Sequence, residues 1–184
     1  MLLTEETGGK EFEVISADTH NAVCVGVYDI GLQESQYGTK RQLIVLWEVD
    51  EQDEGGNKTI PKFYTASIHP KSTLRQDIIS WYGRDLVEEE RTGFDPQSLV
   101  GKPCMLGVIH TENGKAKVQN ISKPPKGMPT LKATGDYSET PKWIKKKQGE
   151  AVGDEEPAKE TKAKKPNPQT QQEKRDAAVE EIFD

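Results

Sequence analysis

Residues 62–83 read KFYTASIHPKSTLRQDIISWYG, and a change of period inside them decides the fold class. Lys62 to Ile68 is a strand. After Pro70 the spacing lengthens: Leu74, Ile78 and Trp81 recur at i, i+4 and i+7, one face of a short helix that ends near Gly83. Thr73 with Gln76 three residues on has the form of a capping box at its start.

Upstream lie two more strands. His20 to Gly31 is a β-branched run closed by Gly31, and Gly26 inside it marks a bulge or tight bend. In Arg41 to Val49, Leu43, Val45, Trp47 and Val49 share one face; Gln42, Ile44, Leu46 and Glu48 share the other. Leu32 to Lys40 reads as a polar loop between them, and Asp50 to Lys58 as an acidic turn around Gly55, Gly56 and Asn57. Downstream, Arg84 to Gly101 is charged and turns at Gly93-Phe94-Asp95-Pro96. Cys104 to His110 and Lys115 to Ile121 are strands joined through Asn113-Gly114, the strongest short hairpin signal there is. Pro124-Pro125 ends the sheet.

The order is strand, strand, strand, helix, strand, strand. That is the chain order of an OB-fold, the partly open barrel that binds oligonucleotides and oligosaccharides. A mainly β, five-stranded OB-fold barrel with one helix between strands 3 and 4 is therefore expected, with another small α+β sheet domain as the alternative. Residues 1–11 are a polar, flexible lead-in, residues 12–144 the OB-fold nucleic-acid-binding domain, and residues 145–184 a disordered tail rich in Lys, Glu, Pro and Gln. The tail ends in Asp176 to Asp184, with four carboxylates, no basic residue and one aromatic, Phe183. Such an end is a handle for partner proteins.

The net charge of −6 hides an uneven distribution. Residues 1–100 carry a balance of −9, residues 101–147 one of +7, and the remainder −4. A polyanion responds to the local field, so the basic third can form a binding surface. No apolar run approaches the roughly 20 residues of a membrane span, and no basic-then-apolar leader opens the chain. A soluble protein of the cytoplasm is expected. Cys24 and Cys104 sit in apolar runs and read as buried hydrophobes.

Nothing points to catalysis. His20, His69 and His110 lack zinc-ligand spacing, and there is no phosphate-cradling glycine loop or nucleophile elbow. Asp29, Glu48 and Asp50, with Lys58 or Lys62, are the set from which a magnesium nuclease would be built, but acids at strand ends are usually solvated. No enzyme, cofactor or metal is expected.

Single-strand binding needs aromatic rings for bases and cations for phosphates. The face of strands 2 and 3 and the loops joining strands 1–2 and 4–5 are where an OB-fold holds its ligand. Those regions offer Tyr37, Lys40 and Arg41 in the first loop, Lys62, Phe63 and Tyr64 in the third strand, and Lys115 and Lys117 in the last hairpin. Of the adjacent Phe63 and Tyr64 one must face inwards; Tyr64 is assigned outwards. Trp47 and Trp81 read as core. Trp143, ahead of three lysines, clips onto the barrel or onto DNA.

The blocks VCVGVYDIG, YGTKRQLIVLWEVD, YTASIHPKSTLRQDIISWYGRDLVEEE, and LVGKPCMLGVIH with NGKAKVQNIS resemble a family of bacteriophage single-stranded DNA-binding proteins over roughly residues 20–127. The resemblance implies an OB-fold core that protects single-stranded DNA during replication or recombination, in the host cytoplasm. The acidic end EEIFD is similar to tails that recruit replication enzymes, which gives Glu180, Glu181, Phe183 and Asp184 the partner-binding role. The alternative function is an OB-like protein-interaction or inhibitor protein that does not bind DNA.

Overall fold

Ile44, Val45, Leu46 and Trp47 follow one another without a polar break, the pattern of a strand covered on both faces. The computed structural model of the chain describes residues 14–151, and both faces are covered. The strands are Thr19–Ser35 (β1), Gly38–Asp53 (β2), Gly56–Thr65 (β3), Pro103–His110 (β4) and Ala116–Ser122 (β5). Between β3 and β4 lie helix Thr73–Tyr82 (α1), the short helix Glu88–Thr92 (α2) and a 3-10 turn, Pro96–Leu99. A last helix, Lys142–Gly149 (α3), follows the sheet. The fold is mainly β: one antiparallel five-stranded sheet in the order β3-β2-β1-β4-β5. The sheet is not closed. Its edges β3 and β5 approach each other, but no ladder joins them among the described residues.

β1 and β2 are much longer than their apolar runs. The stretch expected to be a loop, Leu32 to Lys40, is the end of a hairpin paired as far as Ser35 with Gly38. The acidic turn likewise shrinks to Glu54 and Gly55. These ends are held by backbone ladders rather than by burial, so hydrophobic alternation does not report them. The register of β1 shifts between Cys24 and Gly26 and again between Asp29 and Gly31. At the first bulge a Cβ on Gly26 would run into the end of the Tyr28 ring, so a side chain there would have to displace that ring.

On the inner face Leu74, Ile78 and Trp81 of α1 close the core. The helix is capped by Ser72, one residue before the expected Thr73: Ser72 Oγ accepts the Arg75 N–H at 3.3 Å. Trp81 lies against Trp47 with centroids 6.1 Å apart and donates its indole N–H to Pro103 O at 2.8 Å. Cys24 and Cys104 are buried free thiols.

The outer face of β1 and β2 is covered by the chain that follows β5. Leu131 and Tyr137 pack on Val23, Val25 and Leu46, and Ile144 of α3 is fully buried against Ile30 and Ile44. The helix therefore runs past the boundary drawn at residue 145. The lead-in 1–11 and the acidic end with Glu180, Glu181, Phe183 and Asp184 lie outside the described residues. Among the described residues no helix is long and apolar enough to cross a membrane.

Candidate nucleic-acid interface

The register of β2 with β3 settles which aromatic faces out. Leu43 pairs with Tyr64 and Ile44 with Phe63. Leu43 belongs to the core, so Tyr64 does too: it is 3% exposed, and its hydroxyl donates to Asp77 of α1 at 2.7 Å. Burial and the neighbouring Asp77 carboxylate both push its ionisation far up. Phe63, on the face of Ile44, is 47% exposed. The outward assignment of Tyr64 is thus corrected to Phe63. The physical reason is that β2 is apolar on both faces, so its sequence does not say which face meets α1.

Lys62 points inwards with Tyr64. Its ammonium lies 2.6 Å from Asp77 and over the Tyr64 ring at 5.3 Å, so it is partly buried and paired rather than free on the surface. Arg41 is half exposed, but its guanidinium pairs with Asp29 at 2.7 Å. Tyr37 stands at the tip of the β1–β2 hairpin, 79% exposed. Ser35 Oγ holds that turn, donating to Gly38 O and accepting the Tyr37 N–H.

Phe63 is not alone. Trp143 of α3, 42% exposed, tilts against it with ring centroids 6.5 Å apart. The next residue, Ile144, anchors the helix in the sheet and so fixes the position of Trp143. Gln33 Nε2 and Gln148 Nε2, donating to Lys147 O and Asp29 O, tie the far end of the helix to β1. Lys142, Lys145 and Lys146 are exposed on α3 and form no ion pair among the described residues. Beside Phe63 runs a groove of about 500 Å³ whose walls include Lys40, Ser67, His69, Lys71 and Thr73. Lys40 and Lys71 also have no carboxylate partner among the described residues. Lys115 and Lys117 are exposed on the β4–β5 hairpin and do not line this groove.

No family model matches the chain, and no curated protein sequence does.

The acids that a nuclease would need are engaged separately. Asp29 holds Arg41, and Asp50 faces His20 and the Asn21 N–H. Glu48 is fully buried under the segment that covers the outer face. It accepts from Thr134 N–H, Thr134 Oγ1, Gly135 N–H, Tyr137 hydroxyl and Asn57 Nδ2 at 2.7–3.2 Å. Burial would raise its pKa, but the hydrogen bonds from Tyr137, Thr134 and Asn57 outweigh it and hold the carboxyl down at about 2. Among the described residues no three His, Cys, Asp or Glu side chains converge in a way that would hold a metal ion.

Sequence reasoning found Tyr37 and Lys40 as exposed candidates and missed the pairing of Phe63 with Trp143. The available signal was Trp143 beside Lys145, Lys146 and Lys147, which pointed to a surface role without naming the ring it joins.

Proposed function

We propose that the chain is a sequence-tolerant single-stranded DNA-binding protein of OB architecture, of the bacteriophage family its sequence resembles. The observation that carries this reading is the Phe63–Trp143 pair: two half-exposed rings side by side, flanked by lysines without carboxylate partners among the described residues. Unpaired bases offer flat faces to such rings, whereas a duplex keeps its bases stacked on one another. Lys40 and Lys71 in the groove beside Phe63, and Lys142, Lys145 and Lys146 on the helix that carries Trp143, are available to meet phosphates. The strand order, the meeting of the edges β3 and β5, and the position of α1 between β3 and β4 all support a barrel of the OB type. Phe63 lies on the strand 2–3 side, where that fold holds its ligands. A role in DNA replication or recombination in the host cytoplasm, with Glu180, Glu181, Phe183 and Asp184 recruiting partner proteins, rests on the sequence resemblance.

The test is polarisation of labelled oligo-dT, with duplex competitor, over a series of salt concentrations. Affinity is expected to fall with salt at a log–log slope of about −0.7 per phosphate neutralised. Phe63→Ala and Trp143→Ala should each weaken binding by roughly 1–3 kcal/mol, the contribution of one base–ring stack. No binding at low salt, displacement by duplex as efficient as by single strand, or full affinity in both variants would each overturn the proposal.

A further inference from the structure

A second cluster of cations lies at the other end of α1. The helix stops at Tyr82, and Gly83, with φ 67°, turns the chain so that Arg84 returns over the Tyr82 ring, its guanidinium carbon 5.1 Å from the centroid. Lys102, from the turn before β4, lies over the same ring at 4.4 Å and donates to the Tyr82 hydroxyl at 3.0 Å. Lys123, just after β5, reaches the same place: its Cδ is 3.3 Å from where a Cβ on Gly83 would sit. With Trp81, Pro103 and Pro124 they line a shallow, open pocket of about 310 Å³.

The charges in this pocket are not balanced. Arg84 is matched by Glu90, with both guanidinium nitrogens on the carboxylate at 2.8 and 2.9 Å. Glu90 also accepts the Val87 N–H and is stabilised by the charge of Lys102, so one carboxylate serves two of the three cations. Lys102 and Lys123 form no ion pair among the described residues, and Lys102 donates instead to the Tyr82 hydroxyl. Lys102 and Lys123 thus line one pocket beside Arg84, with Glu90 as the carboxylate bonded there. Trp81 is buried and the Tyr82 ring is occupied by cations, so no free ring is left for a base. The unmet chemistry is that of a phosphate.

We propose that Lys102, Lys123 and Arg84 form a second phosphate station for the bound single strand. The inference rests on the single-strand reading above. The Phe63 groove reaches Thr73 at the start of α1, and the station lies at Tyr82 at its end. Nine residues of helix separate the two by about 13 Å at about 1.5 Å per residue. A short oligonucleotide occupies the groove alone; a longer one also reaches the station.

The experiment compares the full chain with Lys102→Ala/Lys123→Ala on labelled oligo-dT of graded length, about 4 to 16 nucleotides, the range covered by single OB-folds. On the longest oligonucleotide the double variant should show a salt slope shallower by about 0.7 for each phosphate it no longer neutralises. On the shortest that binds, it should match wild type. Lys123→Glu, a change at a side chain of the pocket rim, should give the same length-dependent weakening and guards against misfolding of the double variant. Equal slopes for variant and wild type on long dT overturn the station and leave the single-strand reading intact. An equal weakening at all lengths also overturns it, because the effect is then a general field. If wild type binds no dT of any length, the single-strand reading falls and the station with it.

Discussion

Glu48→Gln tests whether one buried carboxylate fastens the segment that covers the sheet. The glutamine has nearly the same shape but offers one acceptor oxygen where the carboxylate offers two, to donors that include the Thr134 and Gly135 backbone N–H groups. At least one of these buried donors loses its partner, at a cost of roughly 1–3 kcal/mol. The ionisation expresses the effect of the same hydrogen bonds as a magnitude. Moving a carboxyl from 4.5 down to about 2 on folding contributes about 3 kcal/mol at neutral pH. Because the unfolded chain binds the proton more readily, this contribution is fully present above pH 4.5 and is lost as the pH falls towards 2. At about 3 °C per kcal/mol for a domain of this size, Glu48→Gln should melt about 10 °C below wild type at pH 7. Thermal unfolding followed by circular dichroism from pH 7 down to pH 3 measures both effects. The difference between the two proteins should narrow as the pH falls. A variant melting within about 2 °C of wild type at pH 7, or a gap that does not narrow with acid, would refute the reasoning.

Two further outcomes follow from burial. Tyr64→Phe removes a hydroxyl bonded to the Asp77 carboxylate inside the core, so stability should drop by about 2 kcal/mol in urea unfolding. Oligo-dT affinity should stay unchanged; a several-fold loss of affinity at full stability would return Tyr64 to the binding surface. Burial also pushes the Cys24 thiol up to about 12 and the Cys104 thiol still higher. A thiol reagent at pH 8 should find neither in the native protein and both after denaturation in guanidinium. Rapid reaction of the folded protein would show that the core at Ala22–Cys104 opens.

Short-range features were legible in the chain itself. The helical stripe of Leu74, Ile78 and Trp81, the glycine stop after it, the bulge at Gly26 and the Asn113-Gly114 hairpin each depend on residues within a few positions of one another, and each is present. The burial of Trp47 and Trp81 followed from the same periodicities. The expectations that failed depend on what lies across the sheet. Phe63 and Tyr64 are equally suited to face outwards until β3 is registered against β2, and β2 carries apolar side chains on both faces because α1 covers one and residues 131–144 the other. Lys62 looks like a surface cation until α1 brings Asp77 to it from 15 residues away. Glu48 looks like a solvated strand acid until Thr134 and Tyr137, more than 80 residues on, close over it. The Phe63–Trp143 pair joins rings 80 residues apart and exists only because Ile144 is buried against Ile30 and Ile44. Periodicity and turn chemistry are local and are written in the sequence. Which face is covered, and by what, is set where distant segments meet, and that emerges only in the folded chain.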